Sequence, residues 1–133
     1  MISIKEALAR VRENTAKLDS VKIDLLNALG SVLSEGIESP INMPPFDQSA
    51  MDGYALGGDA VVYTVVTEIQ AGASVIGKSL SRGEAARIFT GAMIPEGTTS
   101  IAKQEIVKRQ GDTITLMEEV REGMSIRRKG EEL

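Results

Sequence analysis

The side chains best equipped for chemistry are concentrated in Asp47-Gln48-Ser49-Ala50-Met51-Asp52-Gly53-Tyr54, where two carboxylates, a hydroxyl and a glycine lie close together. Carboxylates in such a cluster can bind Mg²⁺ or orient water. Equally, Asp47 and Asp52 can close Asx turns by accepting nearby amides, and spacing alone leaves both readings open. Pro44-Pro45-Phe46 precedes the cluster and stiffens its approach. A second candidate is Phe89-Thr90-Gly91-Ala92, where a hydroxyl next to a glycine can present an O–H and an amide to an anion. Turns of this composition also end strands for structural reasons alone. A third is Arg127-Arg128-Lys129 beside Glu131 and Glu132. That run reads as a solvated face or ion-pair network, with phosphate contact by arginine as the functional alternative.

Composition narrows the chemistry. The 133 residues contain no cysteine and no histidine. Disulfides, thiolate or imidazole zinc sites and Ser-His or Cys-His nucleophiles are therefore excluded. Carboxylates, hydroxyls, lysine, arginine and backbone amides remain, a set suited to phosphates, oxyanions and hard cations. A net charge of −4 gives no overall basic footprint for nucleic acid. No apolar run approaches the ~18 residues of a membrane span, and the start lacks signal-peptide order. A cytoplasmic protein without membrane or nucleic-acid partners is expected. Gly72-Ala73-Ser74-Val75-Ile76-Gly77-Lys78-Ser79 matches the P-loop pattern. That motif needs a helix starting at its lysine, and Leu80-Ser81-Arg82-Gly83 would break one within a turn. A glycine-punctuated connection between strands is the better reading.

The elements that must carry these residues are legible in outline. Ser3-Ile4-Lys5-Glu6 has capping-box form, and Ile4, Ala7, Leu8 and Val11 make one apolar stripe of a helix ending near Asn14. A second helix is expected after Asp24, burying Leu25, Leu26, Leu29, Val32 and Leu33, with Gly30 a weak point inside it. Pro40, Pro44 and Pro45 mark a boundary. Beyond them Val61–Thr67 and Glu84–Phe89 read as strands. Ile101–Lys108 and Thr113–Met117 flank a hairpin turn at Arg109-Gln110-Gly111-Asp112.

Taken in order, several segments resemble one known family. They are Ser39-Pro40, Pro45-Phe46 through Ala55, Arg87-Ile88-Phe89-Thr90-Gly91-Ala92 with Pro95-Glu96-Gly97, Gln104-Glu105, and Ile126 through Glu132. The series is similar to the N-terminal region of the MoeA (molybdopterin molybdenumtransferase) family, whose eukaryotic relatives include the gephyrin E domain. The resemblance covers essentially the whole chain. It implies an α+β fold, with two N-terminal helices in an elongated dimer-building domain (1–41 and 116–133) and a separate β-rich domain of short strands (42–115). The family's C-terminal α/β domains would be absent.

The resemblance also implies an activity: insertion of molybdenum from molybdate into adenylated molybdopterin, in a Mg²⁺-dependent step that releases AMP and yields molybdenum cofactor. The substrates would be adenylated molybdopterin and molybdate, and the full-length enzyme a homodimer with a composite active site. This fragment alone would be inactive. A non-catalytic scaffolding or partner-binding module of the same fold is the alternative. Carried over by position, Asp52 and Thr90 would be catalytic, with Asp52 also the Mg²⁺ ligand. Ser49, Gly91, Arg127 and Glu132 would bind substrate. Three departures stand out: Glu132 replaces the family's Asp, Gln48 its more usual Asn, and Thr99–Lys103 is more polar than usual.

Overall fold

The computed structural model describes residues 2–133, which form two compact units, one ending at Glu38 and the other comprising Ser39–Leu133. The first contains the α-helix α1 (Ile4–Glu13). Ser3 caps it, accepting the Glu6 N–H at 3.2 Å. The return half of the capping box is replaced by an i,i+4 pair, in which Arg10 Nη2 lies 2.9 Å from Glu6 Oε1.

The expected second helix is not there, and this corrects the α+β reading with two N-terminal helices. Only one 3₁₀ turn, Leu25–Asn27, forms where that helix was anticipated. Asp24 makes no side-chain cap, and Gly30 sits in the left-handed region at φ 86°. The apolar stripe gains nothing by coiling, because Leu25, Leu26, Leu29 and Val32 all remain exposed. A short helix without a buried face is marginal in water. The described residues are mostly β.

The second unit is built on a six-stranded sheet of order β5-β2-β4-β3-β7-β6. Its strands are β2 (Gly53–Gly57), β3 (Val62–Ile69), β4 (Glu84–Ile88), β5 (Thr98–Lys103), β6 (Val107–Gln110) and β7 (Thr113–Leu116). A two-stranded ribbon pairs β1 (Gln48–Ser49) with β8 (Ile126–Arg127). Only β3 and β4 run parallel within the six-stranded sheet. The β6–β7 hairpin turns at Gly111-Asp112, with Gly111 at φ 63°. The anticipated Ile101–Lys108 strand is divided by a 3₁₀ turn at Gln104–Ile106, so β5 and β6 lie at opposite edges of the sheet.

Side chains alternate across the inner strands and bury both faces. Ala55, Ala86, Ile88 and Ile101 enter one cluster with Ile69, Leu80 and Ala92. Tyr54, Leu56, Ala85 and Ala102 enter the other with Tyr63 and Ile114. The inner strand β2 is buried at every position. At its start the backbones of β2 and β5 approach so closely that a Cβ on Gly53 would overlap the Ala102 carbonyl oxygen. No helix among the described residues is long and apolar enough to cross a membrane.

The β1–β8 ribbon is fastened by Asp47. Its Oδ2 lies 2.7 Å from Arg128 Nη1, and its Oδ1 accepts the Lys129 N–H at 2.8 Å. The Lys129 amide, and then the Arg128 guanidinium, hold the Asp47 carboxyl below its ordinary range. Further along, the Gly130 N–H donates to Pro44 O at 2.9 Å and the Glu132 N–H to Met43 O at 2.9 Å. The tail is thus returned to the proline-rich segment that precedes β1.

Two stability outcomes follow from this construction. Gly53→Ala should cost about 3 kcal/mol, because backbone rather than a flexible side chain must yield. A loss under about 1 kcal/mol in urea unfolding contradicts that close approach. Asp47→Asn should cost about 0.5–1 kcal/mol at neutral pH, the scale of an exposed, well-aligned ion pair. Because the folded-state pKa of Asp47 is depressed, its contribution is complete above the ordinary carboxylate value. It is lost as pH falls through the folded value, so the wild-type advantage should shrink below about pH 4. An advantage unchanged at pH 3 rules out the ionic clasp.

Candidate functional site

The register of three strands brings three distant segments to one end of the sheet. Gly53, the first residue of β2, is paired with Ile88 on one side and Lys103 on the other. Because β2 is antiparallel to both neighbours, Asp52 emerges beside Phe89-Thr90 and Gln104. The contacts follow from that placement. Asp52 Oδ1 accepts both the Thr90 N–H at 2.9 Å and the Thr90 hydroxyl at 2.7 Å. The Asp52 carbonyl accepts the Gln104 N–H at 3.1 Å, which ends β5 at this point.

Asp52 and Thr90 are both exposed, so the pair lies at the surface. The Thr90 amide first, and its hydroxyl second, hold the Asp52 carboxyl below its ordinary range, and Arg87 adds to the effect. Asp52 is therefore an anion throughout the neutral range. Oδ1 has two donors, whereas no hydrogen bond among the described residues reaches Oδ2. Thr90 gives its hydroxyl hydrogen to Asp52, so in this arrangement it offers lone pairs outward rather than a donor. A fixed carboxylate oxygen beside a hydroxyl lone pair suits a hard cation, a bound water or a ligand donor.

Arg87 completes the cluster and is the residue that sequence reasoning passed over. Its Nη1 donates to Gly53 O at 2.8 Å and its Nη2 to Gln104 Oε1 at 2.9 Å. The guanidinium carbon lies 4.6 Å from the Phe89 ring centroid and 5.3 Å from that of Tyr54. A signal was available. The chain has just four Phe and Tyr residues, and two of them bracket this arginine, one at i+2 and one directly across the β2–β4 ladder.

The other anticipated residues lie nearby with different roles. Ser49 is fully buried, and its hydroxyl donates to Met51 O and accepts the Met51 N–H, closing a turn. Its carbonyl takes the Gly91 N–H at 2.8 Å. Gly91, at φ 81°, turns the chain there. Neither the Ser49 hydroxyl nor the Gly91 amide is open to a ligand in this arrangement. Arg127 lies opposite Gln48 in the ribbon and pairs with Glu132 at 3.2 Å, both side chains about half exposed. Glu132 thus reaches Arg127 despite replacing the family's Asp. The structure joins Asp52, Thr90, Arg87 and Gln104 directly, and links the Arg127 ribbon to them through Ser49 and Gly91.

Two alternatives are answered by the same geometry. The P-loop pattern carries no helix: after Lys78, Ser79 bridges to Glu96 and the Leu80 N–H donates to Glu96 O at 2.8 Å. Among the described residues, no group of three or more His, Cys, Asp or Glu side chains is placed to hold a metal ion. Any Mg²⁺ here would rest on Asp52 with waters and ligand phosphates, which is a common mode for this ion.

Comparison with known proteins places this architecture. The molybdopterin molybdenumtransferase of Haemophilus influenzae is 36% identical over 139 residues, covering 100% of this chain and 34% of that protein. The Staphylococcus epidermidis protein of the same name is 30% identical over 141 residues, covering 99% of this chain and 33% of its own length. A crystal structure of the molybdopterin biosynthesis MoeA protein from Pyrococcus horikoshii OT3 superposes with a TM-score of 0.78 at 34% identity, over 97% of this chain and 36% of that one. The chain therefore spans about a third of the length of the curated relatives it matches. The family model "MoeA N-terminal region (domain I and II)" matches residues 2–133, and this chain belongs to that family.

Proposed function

We propose that this chain is the N-terminal part of an enzyme that inserts molybdenum from molybdate into adenylated molybdopterin, releasing AMP and forming molybdenum cofactor. The observation that carries the reading is the exposed Asp52–Thr90 pair, built where three of the family-like segments meet. The similarity to the molybdopterin molybdenumtransferases of H. influenzae and S. epidermidis supports it.

In this reading Asp52 acts as a permanent anion. A carboxyl held below its ordinary range is a weak base and no acid at neutral pH. Its work is electrostatic: Oδ2 would hold a hard cation or a substrate donor while Oδ1 is fixed by Thr90. Mg²⁺ fits the donor set, with Asp52 as the protein ligand and the Thr90 lone pairs beside it. When bound, the ion neutralises phosphate charge and orients oxygen ligands. Thr90 fixes the carboxylate, and Arg127, paired with Glu132, supplies the positive charge for an anionic substrate group. The remaining wall of the site comes from protein beyond this segment, contributed by a second copy in a homodimer. The chain alone is then inactive.

In the full-length enzyme, Asp52→Ala should lower turnover by about 10²-fold or more, the scale of removing a preorganised charge. Asp52→Asn, which preserves the acceptor for Thr90, should lose nearly as much. Turnover within a few-fold of wild type in both variants removes Asp52 from the mechanism. Supplied with adenylated molybdopterin, molybdate and Mg²⁺, the 133-residue chain should give no cofactor until the remaining two-thirds of the enzyme is added. Turnover by the chain alone contradicts the composite site.

A further inference from the structure

We infer that Arg87 is the positioning residue of this site, locking the Asp52 turn against the Thr90 turn while leaving the Asp52 carboxylate free to bind. The kinetic part of this inference rests on the transferase reading above.

Besides the Tyr54 ring at 5.3 Å and a long 3.5 Å contact from Nη1 to Ile88 O, the groups Arg87 touches are attached to one of those two residues. Gly53, whose carbonyl takes Nη1, is the chain neighbour of Asp52. Gln104, whose side-chain oxygen takes Nη2, donates its own N–H to the Asp52 carbonyl. Phe89, under the guanidinium at 4.6 Å, is the chain neighbour of Thr90. One planar cation thus spans the start of β2, the end of β4 and the end of β5.

What Arg87 does not touch matters as much. No salt bridge or hydrogen bond joins it to the Asp52 carboxylate, although it is near enough to favour the charged form. An arginine paired bidentately with Asp52 would consume both oxygens. Here the two rings and the oxygens of Gly53, Ile88 and Gln104 hold the guanidinium aside. Lysine cannot replace it, because a single ammonium lacks the fork that reaches two acceptors at once and the plane that stacks on a ring.

The test compares Arg87→Lys and Arg87→Met with wild type in the full-length enzyme, reading steady-state kinetics and amide hydrogen exchange. Both variants should lower kcat by about 10²-fold, the effect of a misplacement near 1 Å, with KM for each substrate changed only a few-fold. Exchange at the Thr90 and Gln104 amides should quicken by about tenfold, as for loss of a hydrogen bond to a charged group. The Tyr63 and Ile114 amides, in the β3–β7 pairing, should keep their protection.

Full activity and unchanged exchange in Arg87→Lys overturn the inference, since charge alone would then suffice. Equal loss of protection at Tyr63 and Ile114 also overturns it, by showing a general structural role. Asp52→Asn, run in parallel, separates the two layers. If it turns over like wild type, Asp52 leaves the mechanism; if the wild-type full-length enzyme itself forms no cofactor, the transferase reading fails, and the exchange data alone decide whether Arg87 positions the turn.

Discussion

One carboxylate oxygen, Oδ1 of Asp52, ties the entry of β2 to the exit of β4 by accepting both the amide and the hydroxyl of Thr90. Charge-assisted hydrogen bonds of this kind are about twice as strong as neutral ones. Their position matters more here than their strength. They fix one oxygen of an exposed anion and leave the other available, which is the condition for a surface carboxylate to act on a ligand rather than merely face water.

That arrangement depends on a sheet whose inner strands tolerate no slippage. Gly53 permits the β2 and β5 backbones to approach where a Cβ would collide with the Ala102 carbonyl. Burial of both faces of β2 sets its register, because a shift by one residue would exchange Tyr54 and Leu56 with Ala55 between two different clusters. The chemistry-bearing residues lie just beyond the paired positions, where backbone groups are free to be claimed by side chains. Gln104 shows the consequence. Its amide turns to Asp52 instead of extending β5, and the chain leaves for the far edge of the sheet.

The β1–β8 ribbon applies the same logic to the charged tail. The Arg127-Arg128-Lys129 run proves to be divided in its duties. Arg128 and the Lys129 amide are bound to Asp47, while Arg127 faces Glu132. Of the three basic side chains, that of Arg128 therefore serves the fold. Of the two aspartates in the acidic cluster, Asp47 fastens the fold and Asp52 presents an oxygen to solvent. Both were open to either role from spacing alone.

Local chemistry determined much of this protein without reference to its fold. The β-branched run of β3, the Gly111 hairpin, the Ser3 cap and the failure of the Gly72–Ser79 pattern as a P-loop all rest on short-range sterics and hydrogen bonding, which a sequence carries directly. The choice of Asp52 and Thr90 rested instead on the resemblance of the ordered segments to one family, since spacing left their roles open. Tertiary structure alone decided the rest. The apolar stripe around Leu25–Leu33 reads as a helix only if something buries it, and the described residues leave it exposed. β2 was hidden because Gly-Tyr-Ala-Leu-Gly has no strand signature, its strand character coming from neighbours on both sides. Arg87 and Gln104 gained their roles through pairings across 34 and 17 residues of chain, and such long-range geometry is not encoded in any local pattern.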